Sequence, residues 1–577
     1  MIKLIKRNLS GFGISLLLSV LTLVLHAIMD LYLPTINANL TNNGMARGDI
    51  PYIIRMGAWM MLAVLISTVA MICSSYFSSK TAMGLGKNMR EEFFRHVQSL
   101  SKGDVDKVGT ASLITRGTND VQQVTNAAIM MLRMMLMSPT MFVGGIVMAW
   151  QKCPELAWII LCALPPIILL MIYMLKKGMP LFKSIQKKVD TVNQVVREYL
   201  SGIRVIRAFC KDDYETKRFD LANLDLQQVS LKVARMLAFM MPALMLIINA
   251  TTIAIVWIGG HEMQNGTVEV GDLTAFITYV SMILFSLMLM SMMFIVLPRA
   301  SASADRINEV LAMRSDVADP DAATDIRSLR GGYVTFDDVS FSYPGADMAV
   351  LEHISFSAKP GEVVAIIGGT GCGKSTLINL IPRFYDTTGG SVLLDGTDVR
   401  SLKQDELRAR IGLVPQKSFL FTGTIADNVR FGKQDATDEE VIDALKIAQA
   451  YDFVMEMEEG IQTQITQGGT NVSGGQRQRL AIARALVRKP DIYIFDDSFS
   501  ALDFKTDAAL RKALFERVKD ATIFIVAQRV STIMNADKII VLNDGVIAGC
   551  GRHAELMKTC DVYREIVCSQ HAESEVG

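Results

Sequence analysis

Six long stretches without Asp, Glu, Lys or Arg constrain the fold of this chain more than any other feature. All lie in the first 300 residues, at 11–29, 56–79, 134–151, 156–175, 236–260 and 273–298. About 20 apolar residues cross the hydrocarbon layer of a bilayer. One such stretch could be a buried helix of a soluble protein, but six in succession predict an all-α polytopic membrane domain. The predicted spans lie near 11–37, 52–79, 127–151, 155–177, 236–260 and 271–298.

The distribution of basic residues predicts how these spans are oriented. The connections after spans two and four are long and rich in Lys and Arg, whereas the other connections carry few. The positive-inside rule therefore places both termini in the cytoplasm. The start of the chain resembles a signal peptide, but its apolar run is too long and no small-residue cleavage site follows. We expect residues 1–9 to form an interfacial helix and the basic connections to be helical extensions of the spans.

The second part of the chain has the pattern of a soluble α/β domain. We predict a membrane domain at 1–313, a linker at 314–330 and the α/β domain at 331–577, where short apolar strands alternate with helices. Lys+Arg and Asp+Glu both number 58, which argues against a nucleic-acid partner bound by bulk charge. The eight cysteines include no CxxC pair, so neither a zinc site nor a disulfide framework is predicted.

Residues 368–375 fit the phosphate-binding pattern GxxxxGK[ST]. They follow the apolar run 363–367 and precede a helical stretch beginning near Thr376, the strand–loop–helix context that a P-loop requires. Glycines in such a loop let backbone N–H groups close around phosphates. Lys374 is expected to reach the β- and γ-phosphates and Ser375 to bind Mg²⁺. The pattern predicts ATP and Mg²⁺ as cofactors, with binding residues Gly368, Gly371, Gly373, Lys374, Ser375 and Thr376.

Further motifs give the resemblance to a family. The strand 492–496 ends in Asp496, as a Walker B motif does, and residues 471–479 resemble the signature motif of ABC transporter ATPases. The order of the remaining motifs is similar: Tyr343 matches the A-loop aromatic, Gln416 the Q-loop and residues 500–503 the D-loop. Residues 115–120 and 198–209 resemble the family's first and second intracellular loops. The chain is identified as similar to the exporter-type half-transporters, with six spans followed by one nucleotide-binding domain.

The resemblance implies a partner and a set of roles. Two such chains pair, and each ATP lies between one chain's P-loop and the other chain's signature. It further implies that Ser375, Gln416 and Asp496 hold Mg²⁺ and that Tyr343 stacks on adenine. The remaining residues expected at nucleotide are those of the signature and the D-loop: Ser473, Gly474, Gly475, Gln476 and Asp503.

Two catalytic positions depart from the family pattern. The residue after Asp496, where the family has Glu, is Asp497, and the switch position that should hold histidine is Gln528. Asp is one methylene shorter than Glu, and misplacement of about an ångström can cost about a hundredfold in rate. Gln528 cannot carry the positive charge of a histidine. We therefore expect this chain to bind ATP, to hydrolyse it poorly at its own site, and to supply its signature to a different chain in a heterodimer.

The leading hypothesis is one subunit of a heterodimeric, ATP-driven exporter of small hydrophobic or amphipathic compounds in a bacterial cytoplasmic membrane. An importer of metal–siderophore complexes and a non-transporting nucleotide sensor are the alternatives. Within the spans, His26 and Asp30 could form a substrate or proton site, or a local pair facing a neighbouring helix. The many methionines could line a promiscuous pocket or fill helix interfaces.

Overall fold

The computed structural model describes residues 1–324 and 331–576, which form two compact units. The first unit comprises residues 1–97 and 111–312, and the second comprises residues 98–110 together with the chain from Met313 onward. The predicted linker 314–330 belongs to the second unit. Its residues 325–330 lie outside the described part of the chain.

The first unit is helical, and six of the described helical segments are long and apolar enough to cross a membrane. They are Gly13–Met45, Ile50–Ser99, Thr110–Lys152, Pro154–Ala208, Asp212–Gln264 and Val270–Met290. This confirms the prediction of a six-helix membrane domain. The α-helices of residues 1–312 are α1 Ile2–Asn8, α2 Gly13–Asn39, α3 Ile50–Ser99, α4 Lys102–Val108, α5 Thr110–Thr115, α6 Val121–Lys152, α7 Ala157–Tyr173, α8 Met179–Ala208, α9 Asp212–Gln264 and α10 Val270–Ala312. Short π-helical segments lie at Leu40–Met45, Arg116–Asp120 and Met174–Gly178.

Several helices continue far beyond the apolar runs that predicted them. The apolar run of α3 ends at residue 79, yet the helix continues without a break to Ser99. Leu85, Met89 and Phe93 recur every four residues along this extension and are all buried. That spacing places them on one face of a helix, so the extension is amphipathic. α9 is longer still, with 53 residues.

The centre of the membrane unit is the packing of α10 against α2 and α6. Phe276, Tyr279 and Ile283 of α10 are buried. A Cβ on Gly145 of α6 would lie 2.8 Å from the Ile283 Cγ1 atom, so the glycine is what allows this close helix contact. The Tyr279 hydroxyl donates to the Leu31 carbonyl at 2.9 Å, which gives the buried phenol a partner.

The second unit contains two principal sheets. The twelve strands of its described residues are β1 Val334–Phe341, β2 Leu351–Ala358, β3 Val363–Gly368, β4 Gly389–Leu394, β5 Thr397–Asp398, β6 Ile411–Val414, β7 Gly423–Thr424, β8 Gln464–Ile465, β9 Ile492–Asp496, β10 Thr522–Val526, β11 Lys538–Asn543 and β12 Val546–Gly551. An antiparallel sheet has the order β2-β1-β4-β5, and the larger sheet has the order β12-β11-β3-β10-β9-β6. The predicted α/β class is confirmed.

Helices cover the strands of this unit. They are α11 Lys374–Leu380, α12 Gln404–Ala409, α13 Ile425–Arg430, α14 Asp438–Ile447, α15 Tyr451–Met455, α16 Gly474–Leu486, α17 Phe504–Arg517, α18 Val530–Ile533, α19 His553–Thr559 and α20 Asp561–Val576. The inner strands of the larger sheet read as apolar runs because both faces are covered, whereas the edge strand β12 alternates between exposed and half-buried residues. All five residues of β10, for example, are buried.

The order of the larger sheet decides where the functional residues meet. β3, β10, β9 and β6 are neighbours, and each adjacent pair is parallel. Their carboxyl ends therefore lie at one edge of the sheet, which is where ligands bind in open parallel sheets. The residues that follow these ends are the P-loop after β3, Gln528 after β10, Asp497 after β9 and Gln416 after β6.

Residues 98–110 pack with the second unit, although the sequence places them between two membrane spans. Ser101 and Asp104 form a reciprocal capping box at the start of α4. Asp104 Oδ2 also accepts the backbone N–H of Asp316 at 3.2 Å, and Lys107 Nζ lies 2.7 Å from Asp316 Oδ2. The Cα of Gly103 approaches Tyr385 so closely that a Cβ would lie 3.3 Å from its ring.

Candidate functional site

The P-loop is shaped by glycines with left-handed backbones. Gly371 has φ of +86° and Gly373 has φ of +95°, conformations that residues with a Cβ rarely adopt. α11 begins directly after Gly373, as predicted for this motif. Lys374 Nζ donates to the carbonyls of Gly368 and Gly369, at 2.9 and 2.7 Å. The ammonium group therefore lies across the mouth of the loop, where a phosphate oxygen could replace these carbonyl partners.

An oxygen-rich group beside the P-loop fits a magnesium ion. Ser375 Oγ donates to Asp496 Oδ1 at 3.0 Å, so the two predicted ligands from β9 and α11 are adjacent. Burial raises the pKa of Asp496, and the nearby charge of Asp497 adds to this effect; Ser375, Lys374 and Lys102 oppose it. A bound Mg²⁺ would offset this repulsion between carboxylates, and hydroxyl and carboxylate oxygens are the ligands it prefers.

Asp497 lies at the centre of a hydrogen-bonded cluster. Gln528 Nε2 donates to Asp497 Oδ2 at 2.9 Å, and Gln416 Nε2 donates to the same oxygen at 3.3 Å. The structure thus brings together three residues that the sequence had assigned to separate loops. Two amide donors thus occupy one oxygen of this carboxylate, the oxygen that would otherwise be open to a water molecule.

Tyr343 lies beside the first turn of α11. Its hydroxyl is 3.0 Å from Thr376 Oγ1, and its ring makes edge contacts with Phe341 and Tyr385. This places the predicted A-loop aromatic near the P-loop. Stacking on adenine stays a prediction.

The signature residues start α16. Ser473 and Gln476 form a capping box, in which Ser473 Oγ accepts the Gln476 N–H and Gln476 Oε1 accepts the Ser473 N–H. Gly474 faces open space, whereas a Cβ on Gly475 would lie 3.3 Å from the Ala501 carbonyl. Asp503 caps α17 by accepting the Thr506 N–H at 2.9 Å. Among the described residues, no hydrogen bond joins this group to the P-loop.

The predicted pair in the first membrane helix has a third member. Ser67 Oγ donates to Asp30 Oδ1 at 2.5 Å and lies 2.7 Å from His26 Nδ1. His26 and Ser67 are both buried, so the pair faces α3. A serine hydroxyl has one hydrogen; if it donates to Asp30, the proton between His26 and Ser67 must be carried by His26 Nδ1.

Sequence reasoning missed several residues that the fold brings to these sites. Lys102 acts electrostatically on Asp496 from α4, Ser67 bridges His26 and Asp30, and Gln570 of α20 contacts the loop that carries Gln528. None of them belongs to a motif. The one available signal was the four-residue spacing of His26 and Asp30, which predicted a shared helix face but not its partner.

Comparison with known proteins gives matches for both units. A family model described as the ABC transporter transmembrane region matches residues 16–288, and one described as ABC transporter matches residues 351–500. An uncharacterized ABC transporter ATP-binding protein of Mycobacterium tuberculosis (strain CDC 1551 / Oshkosh) is 42% identical over 551 residues, covering 95% of this chain and 94% of the relative.

Two further relatives carry functional names. A probable multidrug resistance ABC transporter ATP-binding/permease protein of Bacillus subtilis (strain 168) is 34% identical over 510 residues, or 87% of this chain and 86% of the relative. An ATP-dependent lipid A-core flippase of Desulfotalea psychrophila (strain LSv54 / DSM 12343) is 34% identical over 478 residues, covering 82% of each chain.

Proposed function

This chain belongs to the ABC transporters, as an exporter half-transporter whose membrane domain is fused to its ATP-binding domain, and on that premise we propose that it is the hydrolysis-impaired subunit of a heterodimeric exporter. The proposed cargo is hydrophobic or amphipathic. Relatives named as a multidrug resistance transporter and a lipid A-core flippase support that class of compound. Both termini are proposed to be cytoplasmic, because the basic connections favour it and the ATP-binding domain needs cytoplasmic nucleotide.

The observation that carries the proposal is the cluster around Asp497. A general base must accept a proton from water, yet one oxygen of this short carboxylate already accepts two amide hydrogens, from Gln416 and Gln528. Gln528 is neutral, so it cannot supply positive charge to the transition state. The contacts of the P-loop support nucleotide binding, since Lys374 Nζ lies at the loop carbonyls and Ser375 is hydrogen-bonded to Asp496.

Within this chain each proposed residue has a distinct task. The P-loop amides and Lys374 bind phosphate oxygens. Ser375, Asp496 and Gln416 would hold Mg²⁺, which neutralises phosphate charge when bound. Ser473, Gly474 and Gly475 are proposed to close the partner's site, and the open space beside Gly474 leaves room for an approaching phosphate.

Two exposed aromatic surfaces support pairing with a second chain. On the nucleotide unit, Phe421 stacks on Phe431 with ring centroids 4.6 Å apart, and Arg484 lies over both rings. Phe431 is 64% exposed. In the first unit, Phe209 in the turn between α8 and α9 is 70% exposed, and Tyr214 in the first turn of α9 is 65% exposed. We propose that a partner's equivalent turn covers the aromatic patch, since exposed apolar clusters of this kind mark interfaces.

The test compares the purified chain alone with the chain co-expressed with a half-transporter from an adjacent reading frame, chosen for Glu after Walker B and His in the switch loop. We expect substrate-stimulated ATPase activity of the pair and almost none of the single chain. Equal turnover would eliminate the heterodimer. In the pair, Asp497→Glu with Gln528→His should add hydrolysis at this chain's own site.

The same preparation separates the other functions. ATP-dependent uptake of a metal–siderophore complex into right-side-out vesicles loaded with ATP would establish an importer, whereas uptake of an amphipathic probe into inverted vesicles has the direction of export. Nucleotide binding without transport of any amphipathic probe would instead support a nucleotide sensor.

A further inference from the structure

The loop that carries Gln528 is held by a side chain from the end of the chain. Gln570 Nε2 donates to the Gln528 carbonyl at 2.6 Å, and Gln570 Oε1 accepts the Val530 N–H at 2.8 Å. One carboxamide thus binds the backbone on both sides of Arg529. The two bonds also determine the orientation of the amide, because a flipped group would set oxygen against oxygen and nitrogen against nitrogen.

The helix that presents Gln570 is anchored in the core of the nucleotide unit. Tyr563, Val567 and Gln570 are spaced by four and three residues, which places them on one face of α20. Tyr563 is fully buried and Val567 is 5% exposed. The Tyr563 hydroxyl lies 2.8 Å from His553 Nδ1 of α19. The carboxamide therefore projects from a well-supported helix rather than from a loose end.

The next part of the loop has a separate support. Arg511 of α17 donates to the carbonyls of Ser531 and Thr532, each at 3.2 Å. Its guanidinium is held in turn by Asp507, at 2.9 and 3.0 Å. Arg511 thus supports residues 531–532, while Gln570 supports residues 528–530.

From these contacts we infer that Gln570 is a positioning residue, which sets the reach of Gln528 and thereby couples the C-terminal helix to the nucleotide site. The connection runs from α20 through two backbone bonds to Gln528, from its side chain to Asp497, and from Asp497 to Gln416. Loss of the Gln570 bonds frees the Gln528 backbone, so its amide leaves Asp497. The inference rests on the proposed function in one respect: at a hydrolysis-impaired site the effect is on ATP retention rather than on turnover.

The test uses the full-length chain in lipid nanodiscs with Mg²⁺ and ATP. Gln570→Met keeps the length of the side chain and removes both bonds. Gln570→Glu keeps the acceptor for Val530 and loses the donor to Gln528. Ser569→Ala is the matched control on the same helix, because among the residues that the structure describes the Ser569 hydroxyl bonds to the Ile566 carbonyl of its own helix and not to the loop.

Two measurements are needed. Amide hydrogen exchange of the peptide containing Val530 reports on the loop, and exchange of residues 561–569 reports whether α20 stays folded. Release of labelled ATP after dilution reports on the site. We expect Gln570→Met to speed both Val530 exchange and ATP release about two- to tenfold, as loss of a net hydrogen bond predicts. Gln570→Glu should have a smaller effect, and Ser569→Ala should have none.

A double variant separates positioning from a merely structural role. In a Gln528→Ala background, Gln570→Met should no longer change ATP release, because the residue through which it acts is absent. An additive effect there, unchanged ATP release in Gln570→Met, or an equal effect of Ser569→Ala would each overturn the inference. If Gln570→Met unfolds α20, Gln570→Glu carries the same comparison. Phosphate release by the wild-type chain tests the proposed function separately, since rapid hydrolysis would contradict impairment without altering Val530 exchange.

Discussion

Asp497 follows the Walker B strand with a backbone φ of +46°. Among residues with a side chain, Asp and Asn are the ones most often found in this left-handed region, because their short polar groups can bond locally. Its carboxylate accepts two amides, and its carbonyl accepts the Ser500 hydroxyl at 2.9 Å. At the scale of the residue, therefore, aspartate suits the backbone and the cluster better than it suits proton transfer.

Two substitutions in the co-expressed pair test which composite site hydrolyses ATP. A general base contributes about a hundredfold or more to the rate, so Asp497→Asn should cost far less than that if this site is impaired. Asp544→Asn is its control, because Asp544 has a similar φ of +47° in a hairpin. Gly475→Asp should abolish most activity, since its side chain would crowd the Ala501 carbonyl and add charge beside phosphate. Collapse with Asp497→Asn but tolerance of Gly475→Asp would reverse the assignment.

At the scale of elements, a clamp joins the π-helical turn before α6 to α10. Asp120 is buried and receives two bonds from the Arg306 guanidinium, one of them at 2.8 Å. Burial alone would raise the pKa of Asp120, but the bonds from Arg306 and Ser303 and the charges of Arg306 and Arg116 lower it below its usual value. The stability that Asp120 contributes is therefore present above the unfolded pKa and is lost as pH falls through the lower, folded value.

We expect Asp120→Asn to destabilise the protein by about 1–2 kcal/mol at neutral pH, a modest value because Arg306 is half exposed. The difference from wild type should begin to shrink once the pH falls below about 4, where the carboxyl of the unfolded chain protonates, and should vanish below the lower pKa of the folded state. Thermal unfolding midpoints in detergent over a pH series measure this, with the exposed Asp213→Asn as control. If the difference in unfolding midpoint stays constant with pH, protonation of Asp120 does not contribute to the pH dependence of stability.

The group formed by His26, Ser67 and Asp30 gives a second prediction at this scale. Ser67→Ala removes the hydroxyl that bonds to His26 and Asp30. It leaves their polar atoms without this partner and should lower the free energy of unfolding by about 1–3 kcal/mol. Ser74→Ala on the same helix is the control, because that buried hydroxyl makes one long bond of 3.3 Å to Ser19. If Ser67→Ala and Ser74→Ala lower the unfolding midpoint equally, the hydrogen bonds of Ser67 to His26 and Asp30 add no stability beyond that of an ordinary buried serine.

At the scale of the whole molecule, the second unit includes a short segment that is covalently continuous with α3. Asp104 is 2% exposed and holds that segment in two ways, by capping α4 and by accepting the Asp316 N–H. Asp104→Ala should therefore reduce substrate stimulation of the ATPase while leaving ATP affinity unchanged. Asp106→Ala, on the exposed side of α4, is the control. Full stimulation in Asp104→Ala would show that this attachment carries no signal.

The sequence predicted the elements of this molecule better than their contacts. The six apolar runs and the strand before Gly368 can be predicted because the residues of each segment, taken alone, determine the type of element. The helical extensions of α3 and α9 were expected from their basic, amphipathic sequence, and the structure shows both as continuous helices. Gln570 and Lys102 could not be found, since their partners lie about 40 and 390 residues away and no spacing rule connects them.

The length of α3 has a mechanical consequence. Fifty residues at 1.5 Å each make a rod about 75 Å long, which is one continuous helix and whose one proline, Pro51, lies in the first turn. The segment that belongs to the nucleotide unit begins at Gln98, within the last turn of this helix. A tilt of about 10° at one end of such a rod moves the other end by about 13 Å. Because the helix is long and unbroken, a small rotation at one of its ends is a displacement of many ångströms at the other.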